Sequence, residues 1–414
     1  MDVIVARCAG LDVHKKTVML AVRTPRRGGG RAEVVREFST FTDGLVELRD
    51  WLVEARVTQV AMEATGSYWK PVWHVLEDAA GFELLLVNPT HVKKVPGRKT
   101  DVSDASWLAQ LLECGLLRGS FVPPVEIARL RDLTRYRKKL VQERTREVQR
   151  IQKLLEDAGI KLHSVASDVV GKSSRQMLEA LIAGERDPEV LAEMAKTRMR
   201  SKIPELRRAL VGRFEEHHAL LARMHLDHVD QLDELVRRLD TEVDQLMAPF
   251  AEPATRLISI PGIAKRNAEV IVAEIGTDMS RFPDPAHLAS WAGLAPGNYE
   301  SAGKRKTGRA PKGNPALCSA LCESAWVATR SDTYLAAQYR RFRRRFGAKS
   351  EPKAIFAVAH TMLGIVWHVL TSETTYQDLG ADYFERRTDT EARQRYLVRQ
   401  LEALGHQVTL QPAA

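Results

Sequence analysis

The stretch Cys8-Ala9-Gly10-Leu11-Asp12-Val13 decides the fold class, because it is apolar apart from one carboxylate and predicts a first β-strand. Two further runs with the composition of strands, Thr17–Arg23 and Ala32–Ser39, follow it. Gly28-Gly29-Gly30 lies between these two runs with arginines on both sides, which is typical of a hairpin tip. The chain is therefore expected to begin with three consecutive strands.

Helical and strand patterns alternate after these three strands. The expected order is helix, strand, helix, strand and helix, at Thr42–Ala55, Val57–Met62, Ser67–Ala80, Glu83–Val87 and a start near Asp101. Three strands followed by alternating helix and strand is a ribonuclease-H-like order, which predicts an α/β domain with a mixed sheet. The fold class expected for the whole chain is this domain, a long helical coiled-coil middle region and a mostly helical C-terminal domain.

Four acidic residues are the strongest candidates for catalysis. Asp12 lies in the first strand and Glu63 at the end of the fourth, whereas Asp101 and Asp104 lie one turn apart at a helix start. Carboxylate oxygens suit Mg²⁺ or Mn²⁺, and two such ions about 4 Å apart can neutralise a phosphate and activate an attacking oxygen. The alternative is that Asp12 and Glu63 are strand-end turn residues and Asp101 is a helix N-cap.

Positive charge is concentrated in two parts of the chain, which has 414 residues and a net charge of +9. Residues 129–153 hold ten Lys and Arg against three Asp and Glu, and residues 301–353 hold thirteen against three. Two clusters of this size favour a polyanionic partner, most often nucleic acid.

Cysteine usage and hydropathy favour a cytoplasmic protein. The four cysteines form no CxxC pair, which favours free thiols in a reducing compartment. The longest uncharged run, Ala354–Leu370, is short for a membrane span and contains two histidines, so it predicts a core helix. We therefore expect no membrane partner.

Proline pairs predict two boundaries, which divide the chain into expected domains at residues 1–122, 123–250 and 251–414. In the middle domain apolar residues recur at helical spacing, most strictly from Leu210 to Leu246. This spacing favours either a coiled-coil oligomerisation arm or an intramolecular helical hairpin. The segment 163–205 is less regular and predicts a smaller helical insertion.

The third domain begins with a pattern that resembles a helix-hairpin-helix motif. Leu257–Gly276 predicts a helix, a turn at Pro261-Gly262-Ile263 and a second helix. In such a motif the backbone N–H groups near Gly262 and the cation of Lys265 can hold a phosphate without reading base sequence. The alternative is a tight connection between two helices.

A serine precedes a basic loop further along. Ser301 comes just before Lys304-Arg305-Lys306, and Arg309 and Lys312 follow. Cations beside a hydroxyl favour its attack on a phosphate, because they stabilise both the alkoxide and the transition state. From the residues alone, a serine in a basic loop is more often a hydroxyl that contacts a phosphate, or a turn residue, than a nucleophile.

Two sets of motifs resemble those of one transposase family. In the first half they are Gly10-Leu11-Asp12-Val13-His14-Lys15, Met62-Glu63-Ala64-Thr65-Gly66, Val87-Asn88-Pro89 and Lys99-Thr100-Asp101-Val102-Ser103-Asp104-Ala105. In the second half they are Ile260-Pro261-Gly262-Ile263, Leu288-Ala289-Ser290-Trp291-Ala292-Gly293-Leu294-Ala295-Pro296 and the segment from Gly308-Arg309 to Gly313-Asn314. Their order across nearly the whole chain resembles the insertion-sequence one-ten family of DEDD transposases, which are recombinases guided by a bridge RNA.

This resemblance implies a RuvC-like N-terminal domain in which Asp12, Glu63, Asp101 and Asp104 bind the metal, and a C-terminal domain in which Ser301 is the nucleophile. It implies that donor and target DNA strands are cut and rejoined through a covalent serine–DNA intermediate. A structured bridge RNA would pair with both DNAs, and dimers would assemble into tetramers. The expected location is the bacterial cytoplasm, in association with the nucleoid.

Two other functions stay open at this point. A RuvC-like metal-dependent endonuclease that cuts branched DNA would use water as the nucleophile and would not need Ser301. A non-catalytic assembly factor would bind nucleic acid through its basic helices and would not need Asp101 or Asp104.

Overall fold

The computed structural model describes residues 3–26, 28–64, 66–79, 81–92, 104–297, 299–301, 303–308, 310–347, 350–387 and 390–411. The chain forms two compact units, Met1–Val122 and Pro123–Ala414. The elements of the first unit are β1 (Cys8–Val13), β2 (Thr17–Pro25), β3 (Arg31–Ser39), α1 (Thr42–Glu54), β4 (Gln59–Glu63), α2 (Trp69–Glu77), β5 (Glu83–Val87), α3 (Pro89–Val92) and α4 (Asp104–Glu113).

The five strands form one mixed sheet in the order β3-β2-β1-β4-β5. Strands β1 and β2 pair antiparallel, as do β2 and β3, whereas β4 runs parallel to both β1 and β5. This arrangement confirms the prediction of a mixed sheet and places β1 at its centre. The tip between β2 and β3 is closed by backbone hydrogen bonds between Arg26 and the glycine run.

Strand β4 begins later than the sequence pattern suggests, at Gln59 rather than Val57. The Val57 N–H donates to the Leu52 oxygen at 3.1 Å, and the Thr58 N–H donates to the Arg7 oxygen at 3.0 Å. Val57 therefore closes the end of α1 instead of joining the sheet, although its apolar side chain is buried like that of a strand residue.

The sheet separates two cores. Leu11 and Met62 lie in a cluster with Leu48 of α1 and Leu76 of α2 on one face. On the other face α4 packs against β1, β2 and β4. Burial of both faces explains why β1 and β4 are almost continuously apolar.

The second unit is mostly helical, as predicted. Its elements are α5 (Val125–Asp157), α6 (Leu162–Val165), α7 (Lys172–Ile182), α8 (Pro188–Glu193), α9 (Ile203–Ala209), α10 (Glu216–Met247), α11 (Ala251–Ile258), α12 (Lys265–Ile275), α13 (Pro285–Ala292), β6 (Tyr299–Ser301), β7 (Lys304–Thr307), α14 (Pro315–Ala328), α15 (Tyr334–Phe346), α16 (Glu351–Thr371), α17 (Tyr383–Arg386) and α18 (Thr390–Ala403). Short 3₁₀ turns at Thr197–Lys202, Ala248–Phe250 and Met279–Arg281 connect some of them.

The two longest helices, α5 and α10, pack along each other within the chain. Leu140 of α5 meets Leu232 and Val236 of α10. Helices α6 to α9 lie between them in sequence and share a core with Ile151 and Leu226. The middle region therefore contains an intramolecular helical pair, and the coiled-coil oligomerisation arm stays a prediction.

Helix α16 contains the apolar run Ala354–Leu370 and packs against α11, α13, α14 and α15. Among the described residues, α16 is the one helix that is long enough and apolar enough to cross a membrane. Half of its most apolar 18-residue stretch (50%) is buried inside the structure. These contacts agree with the expected core helix.

Candidate active site

Asp12 lies on the face of β1 that meets α4. Side chains alternate along a strand, and the Cys8 Sγ on this face donates to the Ala109 oxygen of α4 at 3.4 Å. Gly10 and Asp12 share the face with Cys8. Burial raises the pKa of the Cys8 thiol to about 11, so this thiol is a packing group rather than a nucleophile.

Gly10 allows the backbone of α4 to lie directly against β1. A Cβ at this position would stand 2.2 Å from the Ala105 carbonyl oxygen and 2.5 Å from the Ala109 nitrogen. No side chain fits at such distances, so the glycine sets the separation of strand and helix. Because Asp104 is the first residue of α4 and precedes Ala105, the same contact holds Asp104 near the end of β1 that carries Asp12.

Glu63 ends the neighbouring strand on the same face. Ala61 packs on the α4 side of β4, and Glu63 has the same orientation because it is two residues further along the strand. The parallel register pairs Leu11 with Met62, so the next residues along each strand, Asp12 and Glu63, leave the sheet side by side.

The strand register and the Gly10 contact thus place the backbone positions of Asp12, Glu63 and Asp104 at one edge of the sheet, whereas Asp101 lies outside the described residues. The Asp12 side chain is 21% exposed, so its carboxylate is open to a ligand. A set of carboxylate oxygens at a partly open edge suits a hard divalent cation such as Mg²⁺ or Mn²⁺. The donor chemistry therefore fits the metal that the sequence predicts.

His14 is a neighbour of this site to which the sequence analysis gave no role. Its Nε2 lies 3.2 Å from Asp12 Oδ2. The tight turn between β1 and β2, closed by the His14 N–H donating to the Thr17 oxygen at 2.9 Å, directs the ring back toward the carboxylate. The sequence feature that could have identified His14 as a neighbour of Asp12 is its position two residues further along the β1 motif, where a turn reverses the chain.

Ser301 and the basic residues after it form a β-hairpin, whereas the sequence predicted a loop. Ser301 is the last residue of β6, and it pairs with Lys304, the first residue of β7. Gly303 at the tip has a φ of +71° with nothing near its Cβ position, which leaves the tip open. Lys304, Arg305 and Lys306 lie along β7.

Lys312 follows this hairpin as an exposed residue, and Arg309 lies outside the described residues. The roles of these cations and of Ser301 stay predictions.

The chain after the hairpin is held by Gly313 and Asn314. A Cβ on Gly313 would stand 2.2 Å from the Gly293 nitrogen, and the Asn314 N–H donates to the Ala292 oxygen at 3.1 Å. The Asn314 side chain accepts from two N–H groups at the start of α14 and is its N-cap. The C-terminal end of the basic segment 304–312 is therefore held where α13 ends and α14 begins.

Asn314 is in turn bound to a fully buried carboxylate that the sequence analysis did not single out. Its Nδ2 donates to Glu274 Oε2 at 2.6 Å. The Arg135 guanidinium donates to both oxygens of Glu274 at 2.7 Å, and these bonds raise the pKa of Arg135. Glu274 is 0% exposed, so removal of any of these partners would leave part of a buried carboxylate without a hydrogen bond.

The turn predicted to hold phosphate is built against α14. Helices α11 and α12 flank it as expected, and Gly262 has a φ of +92° with its Cβ position 2.1 Å from the Ser324 oxygen. This close approach explains the glycine by packing. Lys265 is exposed and its Nζ lies 2.7 Å from Asp244 Oδ1. The helix-hairpin-helix role of Gly262 and Lys265 therefore stays a prediction.

Comparison with protein families gives two matches in chain order. Residues 9–160 match the DEDD IS110 family described as "Transposase". Residues 254–340 match a family described as "Transposase IS116/IS110/IS902 family". Together the two matches span more than half of the chain.

Individual relatives agree with these matches. One relative is y4rJ of Sinorhizobium fredii, which is named as a transposase. It is 27% identical over 86% of this chain and 90% of its own length. The transposase for insertion sequence element IS1111A of Coxiella burnetii is 26% identical over 78% of this chain and 80% of its own. The RuvC structure of Thermus thermophilus aligns with 14% identity and a TM-score of 0.22, covering 28% of this chain and 99% of that one.

Proposed function

Because the chain belongs to the IS110 (insertion-sequence one-ten) family of transposases, we propose that it cuts and rejoins the DNA strands of an insertion sequence under the guidance of a bridge RNA encoded by that element. The observation that supports this chemistry is the strand register together with the Gly10 contact, which places Asp12, Glu63 and Asp104 at one edge of the sheet. Acids gathered in this way repel one another unless a cation lies between them.

Asp12, Glu63, Asp101 and Asp104 would hold Mg²⁺ or Mn²⁺. When bound, the cation neutralises charge on the scissile phosphate and favours an ionised attacking oxygen. The four carboxylates position it, and Gly10 keeps α4 close enough for Asp104 to take part. His14 Nε2, 3.2 Å from Asp12 Oδ2, would donate to that carboxylate and so restrain its rotamer.

Ser301 is the proposed nucleophile. Its oxygen forms a bond to phosphorus while the bond from phosphorus to the 3′-oxygen of the DNA breaks, and the serine proton ends on that 3′-oxygen. The reverse step on a new strand transfers the phosphate from Ser301 to a free 3′-hydroxyl. Lys304, Arg305, Lys306, Arg309 and Lys312 would contact the phosphates around this point.

The same proposal includes the partners. Donor and target DNA would be read by pairing with the bridge RNA, while Gly262, Lys265 and the basic helices hold backbone phosphates. A dimer that assembles into a tetramer would bring an active site from each subunit to the two DNA molecules, with the predicted arm of the middle domain as its contact.

The test is the trapping of a protein–DNA adduct. The full chain is incubated with Mg²⁺, the RNA that flanks its gene and end-labelled donor DNA, and is then denatured. We expect label that migrates with the protein, and we expect Ser301→Ala to lose it. Ser290→Ala, at an exposed serine of α13, is the matched control and should keep the adduct.

The outcomes separate three functions. Cleaved DNA without an adduct in either variant contradicts the serine mechanism and supports a hydrolytic endonuclease. DNA and RNA binding that survives Asp12→Asn and Asp104→Asn, with no cleavage in any sample, supports a non-catalytic assembly factor.

A further inference from the structure

A cavity of about 970 Å³ opens between α15 and the segment that follows α16. Its lining carries five arginines from two elements, three aromatic rings and one acid: Arg340, Arg341, Arg344, Arg345, Arg387, Tyr334, Tyr383, Phe384 and Glu385. Most of these residues lie beyond residue 340, where the match to the transposase family ends. None of them belongs to the candidate active site.

The aromatic wall is a packed cluster. The Tyr334 ring stacks on the Phe384 ring with centroids 5.4 Å apart and an interplanar angle of 24°. The Tyr383 ring stands on edge to both, at 5.0 Å from Tyr334 and 5.2 Å from Phe384. Rings that are already fixed by one another offer a π-face at little entropic cost.

The segment that carries two of these rings is fixed to α15. Asp378 accepts from the Tyr334 N–H at 3.2 Å, from the Gly380 N–H at 2.9 Å and from the Tyr376 hydroxyl at 3.0 Å. The Tyr376 N–H donates to Ser259 Oγ at 2.8 Å. The cavity is thus a preformed feature with both walls held in place.

Apart from Arg340, which lies 3.5 Å from Asp332 Oδ1, the arginines are arranged differently from those of an ordinary solvated helix face. The Arg341 guanidinium lies 4.9 Å from the centre of the Phe384 ring, and that of Arg387 lies 5.4 Å from Tyr383. Within the described part of the chain, no carboxylate lies within ion-pair distance of Arg341, Arg344 or Arg345. Arg343, on the same helix but outside the cavity, instead lies 3.8 Å from Glu351.

We propose that this cavity, which we call the arginine–aromatic pocket, binds an unpaired nucleotide of a single-stranded nucleic acid. Arg344 and Arg345 would contact the phosphates, and the base would stack against the aromatic wall beside Phe384. A concave pocket with stacked rings admits a base that has left its partner, whereas a duplex hides its bases and offers only phosphates to a basic surface.

Binding of a nucleotide by the arginine–aromatic pocket depends on the proposed function in one respect, which is the origin of the single strand that is bound. A bridge RNA and a DNA strand opened for cleavage both supply unpaired nucleotides with the same phosphate and base chemistry. The pocket itself does not require that the protein cleave DNA.

The test compares variants of the full chain in fluorescence anisotropy with labelled oligo(dT), labelled oligo(rU) and a DNA duplex. Arg344→Ala and Arg343→Ala remove the same charge from the same helix, but only Arg344 lines the pocket. We expect Arg344→Ala to weaken single-strand binding about tenfold and to lower the salt slope by about one. Arg343→Ala should do neither.

Phe384→Leu tests the base contact separately, since it keeps an apolar side chain but removes the π-face. We expect the affinity for both oligonucleotides to fall about tenfold, with little change in the affinity for the duplex and an unchanged salt slope. A thermal melt of the variant checks that it folds. Stronger binding of oligo(rU) would assign the pocket to RNA, and stronger binding of oligo(dT) to DNA.

Equal effects of Arg343→Ala and Arg344→Ala, or full single-strand binding by a folded Phe384→Leu variant, would overturn the proposal. Ser301→Ala and Asp12→Asn should leave pocket binding unchanged. A failure of recombination with intact pocket binding would therefore count against the proposed function alone.

Discussion

At the scale of single residues, Gly10 carries a prediction about the candidate site. Gly10→Ala would place a Cβ against the backbone of α4, which cannot move aside as a flexible side chain does. We expect a loss of about 1–3 kcal/mol of stability and faster hydrogen exchange at the start of α4. Gly119→Ala is the control, because its Cβ would lie 3.9 Å from Leu85 in ordinary contact. Equal hydrogen-exchange rates at the start of α4 in the two variants would refute this account of Gly10.

Glu274 carries the second prediction at this scale. Glu274→Ala would leave the Asn314 amide, Arg135 and the 14% exposed Arg131, whose Nε lies 3.4 Å from Glu274 Oε2, without their buried acceptor, so we expect a loss of about 3–5 kcal/mol in urea unfolding. The control is Glu323→Ala, which breaks an exposed pair with Lys138 and should cost less than about 1 kcal/mol. Similar costs for the two variants would contradict the anchoring role of Glu274.

At the scale of elements, the packing of α5 on α10 contains a pH-dependent contact. The Glu147 carboxylate of α5 is 4% exposed, and His225 Nδ1 and His228 Nδ1 of α10 lie 2.8 Å and 3.3 Å from its oxygens. Arg150 also pairs with it. Burial opposes the charge, but the His225 hydrogen bond and the nearby cations hold the pKa of Glu147 below its ordinary value of 4.5.

A pKa that is lower in the folded state stabilises the fold above the ordinary value, and this stabilisation is lost as the pH falls through the folded value. We therefore expect Glu147→Gln to lower stability by about 1–3 kcal/mol at neutral pH. The difference from wild type should shrink as the pH drops below 4.5. Thermal melts across this range test it. Glu143→Gln, at an exposed position of α5, should show no such dependence.

The elements also show how far the sequence predicts this molecule. Strands β1 and β5 were predictable residue for residue, because their apolar runs are bounded by turn residues. Glu274 and Glu147 were not, because a buried charge depends on partners distant in sequence. Arg135 is 139 residues from Glu274 along the chain. The positions of Asp12 and Glu63 in β1 and β4 were predictable because a strand is a local feature, whereas the contact of His14 with Asp12 depends on the geometry of a turn.

At the scale of the whole molecule, the two compact units should respond differently to divalent cations. The candidate metal ligands all belong to Met1–Val122, and the second unit has its own core. A ligand that binds only the folded state stabilises it by about 2.7 kcal/mol at one hundred times its Kd. In calorimetry of the full chain, Mg²⁺ or Mn²⁺ should therefore raise the melting temperature of the first unit and leave the melting temperature of the second unit unchanged.

Asp12→Asn assigns this effect to the site. We expect the variant to lose the cation-dependent shift and, without cation, to melt higher than wild type, because one of several mutually repelling carboxylates is gone. Asp50→Asn, at an acid that is 62% exposed on α1, removes the same charge from the same unit and should keep the shift. A shift that survives Asp12→Asn would place the cation elsewhere. A variant that melts lower than wild type without cation would show that Asp12 is structural, since relief of repulsion can only raise the melting temperature.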